Sequence, residues 1–239
     1  MTDPIRTCAD HGSFGGERER CPVCNAPGAQ LLSGTQRRRL SKFTSGALRH
    51  FPDDVGLELD DRAWTAYGDL VAAVERRYDW ATADHVAAVI ATDPKGRFER
   101  ADVDGGDGVA EGADRDGDDR GRVRAAYGHS IDVDLEPTDA PVPDELYHGT
   151  DPEALASIRT SGLRPMSRQH VHLSGSPEVA RRVGRRHASA PVALVVDAAG
   201  LLADGRRIAK RGAETYTTDE VPPAYLSTFS KSPSGTDFE

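Results

Sequence analysis

The sequence predicts an α+β protein, and three observations carry that reading. Apolar residues recur three and four apart through the first half, short strand-like runs alternate with helices in the second, and all three cysteines fall within the first 24 of 239 residues. A chain of this length has room for two small domains and an appendage, each with a core.

The cysteines come first in the chain. TCADHGSFGGERERCPVCN spaces Cys8, His11, Cys21 and Cys24 as C-x2-H-x9-C-x2-C, two knuckle-like pairs of soft or borderline ligands. Tetrahedral zinc takes that set, with thiolates and a neutral imidazole. A disulfide would strand one cysteine and is disfavoured in a reducing compartment. Four protein ligands leave no open position, so the expected zinc is structural, and residues 1–33 read as a zinc-binding module.

Residues 34–135 read as a winged-helix-like lobe. RRRLSKFTSGALRHF puts Leu40, Phe43, Ala47, Leu48 and Phe51 on one helical stripe that stops before Pro52. Beyond the apolar segment Leu57 to Leu59, a second helix is marked by Tyr67, Leu70, Val71 and Val74. A third follows the N-cap Thr82, carries Val86, Val89 and Ile90, and closes at Asp93-Pro94. Strands RFE and VRAAY follow, separated by an acidic insertion, residues 102–121. Its eight acids and six glycines leave almost nothing to bury, which predicts an extended loop. In the two best EF-hand registers, starting at Asp102 or Asp114, position six is Asp rather than Gly and position twelve is Ala rather than Glu, so a calcium loop is not expected.

After PTDAPVPDE, residues 143–239 change to strands ELYHGT, HVHLS and VALVVD, with helices from Asp151 to Ser161 and from Ser176 to about His187. MSRQHVHLSG sets Arg168, His170 and His172 at alternate positions. On a strand all three share a face opposite Val171 and Leu173, and that face is read equally well as merely solvated.

Composition narrows the function. A formal charge of −9 is the wrong sign for coating nucleic acid non-specifically, so any phosphate recognition must come from a local cluster. The cations are 26 Arg against 4 Lys and the acids 26 Asp against 13 Glu, a bias that fits codon usage in a GC-rich genome and also suits a salt-rich cytoplasm. There, screening leaves affinity to close, geometrically fixed arginine contacts. No run approaches the roughly 18 apolar residues of a membrane span, and the N-terminus lacks the apolar stretch of a signal peptide, so a cytoplasmic protein is expected.

The candidate site residues lie in separate motifs. Arg49 and His50 end the first helix, Arg124 precedes a turn carrying His129 and Ser130, and His148, Gly149 and Thr150 close a strand. Singly, each has an ordinary explanation: a cation at a helix C-terminus, a polar strand residue, a satisfied buried histidine.

Together they carry a resemblance. SKFTSGALRHFPDDVGLELDDRAWTAYGDL, KGRFE, VRAAYGHSID, LYHGTDPEALASIRTSGLRPMSRQHVHLS and ETYTTDEVPPAYL resemble, in order and wording, the RNA 2'-phosphotransferases of the Tpt1/KptA type, from about Leu40 to Tyr225. The resemblance implies an ADP-ribosyltransferase-like C-terminal lobe over residues 143–239, with RNA and NAD meeting between the lobes of a monomer. It also implies a two-step reaction. The RNA 2'-phosphate attacks C1 of the nicotinamide-bearing ribose and expels nicotinamide, giving ADP-ribosylated 2'-phospho-RNA. That ribose's 2-hydroxyl then attacks phosphorus, releasing dephosphorylated RNA and ADP-ribose 1'',2''-cyclic phosphate.

A phosphate dianion suits planar guanidinium forks, which assigns Arg49, Arg124 and Arg168 to it. Arginine is no general base, so proton traffic falls to His50. The resemblance assigns His148, Gly149, Thr150, His172 and Ser174 to NAD, and His129 and Ser130 to the RNA, with His170 serving either the RNA or structure. No Gly-rich dinucleotide fingerprint, Walker motif or acidic metal pair is present. The chain departs from the family wording in VRAAYGHS, where Ala126 and Tyr127 replace an amide pair, and at Gly96 of KGRFE. Two rival readings are an ADP-ribosyltransferase that stops after the first step and a non-catalytic zinc and winged-helix RNA-binding module.

Overall fold

The computed structural model describes residues 3–101 and 121–228, and the chain divides into two compact units, Met1–Glu136 and Pro137–Glu239. The acidic insertion lies outside the described residues except for Gly121, whose carbonyl accepts the Tyr67 amide at 3.0 Å.

In the N-terminal unit, β1 (Ile5–Cys8), β2 (Gly12–Gly15) and β3 (Ala29–Leu32) form an antiparallel sheet in the order β2-β1-β3. Ser33 then caps α1 (Gly34–Ala47) with a capping box: its hydroxyl accepts the Gln36 amide, and the Gln36 side chain accepts the Ser33 amide. After a single 3-10 turn at Asp53–Val55 come β4 (Thr65–Ala66), α2 (Tyr67–Arg77), α3 (Ala83–Ala91), β5 (Phe98–Ala101) and β6 (Arg122–Ala125). The last sheet has the order β4-β6-β5, again antiparallel. The helical stripes face one core, in which Leu40, Leu48, Leu70, Val74 and Val86 are fully buried. Ile5 and Leu32 join it, so the cysteine-bearing segment shares the core of the helices.

The first helix ends earlier than its stripe suggests. Ala47 is its last residue, and the amides of Arg49, His50 and Phe51 all turn back to the Gly46 carbonyl. The turn needs the glycine for space, because a Cβ at Gly46 would lie 2.4 Å from the Phe51 ring. Arg49 and His50 therefore stand on a tight turn rather than on a helix.

The C-terminal unit is built on one six-stranded antiparallel sheet. Its elements are β7 (Glu145–Thr150), a 3-10 turn (Pro152–Ala154) running into α4 (Leu155–Ser161), β8 (Val171–Ser174), α5 (Pro177–Gly184), β9 (Val192–Asp197), α6 (Ala198–Ala203), β10 (Ala209–Gly212), β11 (Thr215–Thr218), a 3-10 turn (Pro223–Tyr225) and β12 (Leu226–Thr228). The strand order is β10-β11-β8-β7-β9-β12. Leu146, Leu173, Val196 and Leu201 centre its core. On the other face α5 lies so close to β7 that a Cβ at Gly149 would sit 1.9 Å from the Ala180 carbonyl oxygen.

The strand carrying the alternating polar residues begins only at Val171, so Arg168 and His170 do not share a strand face with His172. The partner chain explains this. Val171 pairs with Thr218, but three residues further on Val221 pairs with Leu163, both amides bonded to the opposite carbonyl at 2.8 and 2.9 Å. Residues 164–170 are thus looped out between two fixed pairings, with Met166 97% exposed and Arg168 exposed beside it. Among the described residues no helix is long and apolar enough to cross a membrane.

Candidate functional site

The four predicted metal ligands converge. Cys8 ends β1, His11 sits in the β1–β2 turn, and Cys21 and Cys24 flank a turn in which the Asn25 amide donates to the Cys21 carbonyl at 3.0 Å. All four ligand atoms lie within 4.8 Å of one another. Cys8 Sγ is 3.6 Å from Cys24 Sγ and 3.7 Å from His11 Nδ1. A tetrahedron with Zn–S near 2.3 Å has S···S edges of about 3.8 Å, so the donor set fits zinc in identity and spacing. The Asp10 amide, then the His11 side chain, lower the Cys8 thiol to about 6, which favours its ligating form.

Also in the N-terminal unit, the Gly-His-Ser turn docks on the turn carrying Arg49 and His50. The Ser130 amide donates to the Arg49 carbonyl at 3.1 Å, and its hydroxyl donates to the same oxygen at 3.4 Å. Ser130 Oγ also lies 3.0 Å from His50 Nδ1 and holds that edge of the ring. With Ser130 against Nδ1, Nε2 is the ring nitrogen left for proton exchange with a substrate. The Arg49 guanidinium lies over the Tyr127 ring at 4.7 Å, and its Nη2 donates to the Arg97 carbonyl at 3.4 Å. Gly128, at φ +88°, lets the chain pass beside it. His129 is buried, 2% exposed.

Arg124 has a different environment. It is buried on β6, donates from Nε to Glu99 at 2.6 Å and from Nη1 to Glu136 at 2.5 Å, and stacks on Trp64 at 4.4 Å. Two carboxylates already meet its charge. Burial works against the Glu136 anion, yet the Arg124 hydrogen bond and nearby Arg62 prevail and hold its carboxyl below the ordinary value. Neither carboxylate nor Trp64 stood out in the sequence, because all three reach Arg124 only through folding.

In the C-terminal unit, Val171 and Leu173 enter the core, so His172 and Ser174 face the other way, opposite Thr217 and Thr215 across β11. Ser174 also pairs with Tyr147 of β7, and that is the single β7–β8 pair among the described residues. One residue on, the His148 side chain replaces the ladder: Nδ1 lies 3.0 Å from the His172 carbonyl. A carbonyl only accepts, so His148 carries its proton on Nδ1 and its lone pair on Nε2. Burial, with help from His187, pushes its pKa below the ordinary value although the carbonyl bond opposes this, and the ring is neutral at pH 7.

Thr150 and Ser174 are both buried hydroxyls. Gly149 lies under α5, where packing accounts for it. His170 Nε2 is 3.6 Å from Asp219, and burial rather than that carboxylate sets the downward direction of its pKa. The fold thus groups Arg49, His50 and Ser130 in one unit and His148, His172 and Ser174 in the other.

Comparison with known proteins agrees with the wording of these motifs. The family described as RNA 2'-phosphotransferase, Tpt1/KptA family, matches residues 35–220. A probable RNA 2'-phosphotransferase of Haloarcula marismortui is 57% identical over 231 residues, covering 97% of this chain and all of that protein. A probable RNA 2'-phosphotransferase 2 of Archaeoglobus fulgidus is 39% identical over 95% of this chain and 94% of its own length. One of Rhizobium rhizogenes is 40% identical over 84% of this chain and 98% of its own.

Proposed function

The chain belongs to the RNA 2'-phosphotransferase family of Tpt1/KptA proteins, whose activity is removal of a 2'-phosphate from RNA, and we propose that it does so with NAD as the acceptor. The observation that carries the residue assignment is the Arg49–His50–Ser130 arrangement: a guanidinium braced on an aromatic ring beside a histidine held at one ring nitrogen. We read residues 34–135 as a winged-helix-like RNA lobe, residues 143–239 as an ADP-ribosyltransferase-like NAD lobe, and the whole as a cytoplasmic monomer with structural zinc at residues 1–33.

NAD supplies a ribose carbon made electrophilic by its nicotinamide leaving group. Arg49 and the exposed Arg168 hold the 2'-phosphate by paired N–H donors and stabilise charge as it develops at phosphorus. Arg124, already paired to Glu99 and Glu136, sets the local field and shape. His50 takes the proton from the attacking hydroxyl at Nε2, while Ser130 holds the opposite side of the ring. Neutral His148 and the buried hydroxyls of Ser174 and Thr150 suit ribose hydroxyls, which need acceptors and donors but no charge. His172 completes that set, and His129 and His170 are assigned to the RNA side.

The test is turnover of an internally 2'-phosphorylated oligonucleotide with and without NAD. Phosphate loss only with NAD, accompanied by ADP-ribose cyclic phosphate, is expected. Arg168→Ala and His50→Ala should each accumulate ADP-ribosylated RNA. Accumulation of that species in the wild type would instead mark an ADP-ribosyltransferase, and unchanged turnover in both variants would remove these residues from the chemistry.

A further inference from the structure

The segment before the family match, residues 1–34, contains a feature the reaction does not use. A cleft of about 630 Å³ opens beside the Cys/His cluster, with Arg6, Arg18 and Arg20 in its wall together with Glu19, Cys21 and Asn25. Three guanidinium groups on one cleft are notable in a chain of net charge −9, where acids outnumber cations 39 to 30.

The arginines are held differently. Arg6 is anchored on β1: one terminal nitrogen donates to the Gly28 carbonyl at 3.3 Å and the other pairs with Glu19 at 3.1 Å. Its Nε is buried and has no hydrogen-bond partner among the described residues. Arg18 and Arg20 are exposed and enter no ion pair among those residues. Arg20 immediately precedes the ligand Cys21 and bridges to Pro27 across the turn. Inside that turn, the Cys21 amide donates to the Ala26 carbonyl at 2.9 Å, and Asn25 takes φ +59°. These backbone pairings fix the loop that presents Arg20 and Asn25 beside the candidate metal ligands.

We propose that this cleft is a second RNA-contact site, binding a backbone phosphate of the substrate strand outside the reacting nucleotide. The proposal rests on the reading that the substrate is RNA. Convergent guanidinium forks match phosphate oxygens, and an exposed Asn amide adds a neutral donor. Glu19 makes the cleft selective for a ligand that Arg6 can share, since one carboxylate leaves two cations uncompensated. The site gives the N-terminal module a task beyond capping the core.

The experiment uses full-length, metal-loaded protein and the double variant Arg18→Ser/Arg20→Ser, whose exposed positions leave the core and the metal ligands intact. Binding of a long 2'-phosphorylated single strand is followed by fluorescence anisotropy across a salt series, and turnover of a 2'-phosphorylated dinucleotide is measured alongside. Loss of that phosphate contact should weaken long-strand binding several-fold and flatten the log–log salt slope by about 0.7. Dinucleotide turnover and its KM for NAD should stay at the wild-type values. An unchanged salt slope for the long strand overturns the proposal, as does a raised KM for NAD, which would assign the cleft to the dinucleotide's diphosphate. If wild-type protein binds the long strand yet fails to turn over the dinucleotide with NAD, the reading of the activity fails while the cleft's role stands.

Discussion

Gly149→Ala should destabilise the C-terminal unit severely, for a reason that has nothing to do with ligand binding. The added Cβ would lie 1.9 Å from the Ala180 carbonyl oxygen and 3.2 Å from the Gly184 amide nitrogen. Real Cβ atoms essentially never come within 3.0 Å of such neighbours, so α5 must withdraw from β7 by more than an ångström. Both contacts are backbone, and no rotamer change relieves them. The backbone dihedral at Gly149 is ordinary, so the whole cost is steric. Overpacking costs about 1–3 kcal/mol where side chains can adjust, and a backbone collision belongs at or above the upper end, about 3 kcal/mol. In a domain of about 100 residues that lowers the melting midpoint by roughly 12–24 °C. Thermal unfolding by circular dichroism, with isothermal titration of NAD at low temperature, separates packing from recognition. A midpoint within a few degrees of wild type together with lost NAD binding would refute the packing account and return Gly149 to the ligand site.

Other outcomes follow from the same contacts. Arg124→Lys keeps one positive charge but reaches one carboxylate and loses the planar stack on Trp64, so urea denaturation should show a loss of about 1–2 kcal/mol; an unchanged midpoint would mean that the Glu99 and Glu136 pairings carry no net stability. The depressed carboxyl of Glu136 contributes stability that is present above its ordinary pKa of 4.5 and lost as pH falls through the folded value, so Glu136→Gln should flatten the acid limb of the stability curve, and an unaltered limb would contradict this. His148 follows the same sign: its folded pKa lies below 6.5, its contribution is full above pH 6.5, and it disappears as pH falls toward the folded value. His148→Asn, with an amide to donate to the His172 carbonyl, should remove that pH dependence, which melting curves at pH 7 and pH 5 would reveal. Elemental analysis should find zinc in the wild type and none after Cys21→Ser/Cys24→Ser, and because Ile5 and Leu32 sit in the helical core, the metal-free protein should melt earlier.

The helices of the N-terminal unit could be read from the chain because their information is local. Tyr67, Leu70, Val71 and Val74 repeat at helical spacing and are all buried. Strands β7 and β9 were equally legible as short apolar runs with clear ends. The sheet β2-β1-β3 was not, since GSFG and AQLL show no alternation, and the segment earns its order from pairing and from Ile5 and Leu32 in a shared core. The strand expected at HVHLS forms as β8 from Val171, but where it starts was less legible, for a related reason. Polar alternation continues upstream to Arg168, but whether backbone extends depends on the opposite strand, and β11 leads on to Leu163 instead. At the candidate site, residue identities were legible and their partners were not. Arg124 meets Glu99 and Glu136 across 25 and 12 residues, and Arg49 meets Tyr127 across a longer span. The departure of Tyr127 from the family's amide was the one available signal that Arg49 is supported here by an aromatic face.

The excursion of residues 164–170 has a consequence for how such a protein can change. Its two ends are pinned independently, at Leu163 by Val221 and at Val171 by Thr218, so the sheet does not register what lies between. Doubling a loop's length costs only about 0.6 kcal/mol in closure entropy. Arginine number, reach and spacing in this segment are therefore open to substitution, insertion and selection while the fold's stability is held nearly constant. Such changes need none of the compensating mutations that a change inside β8 would demand.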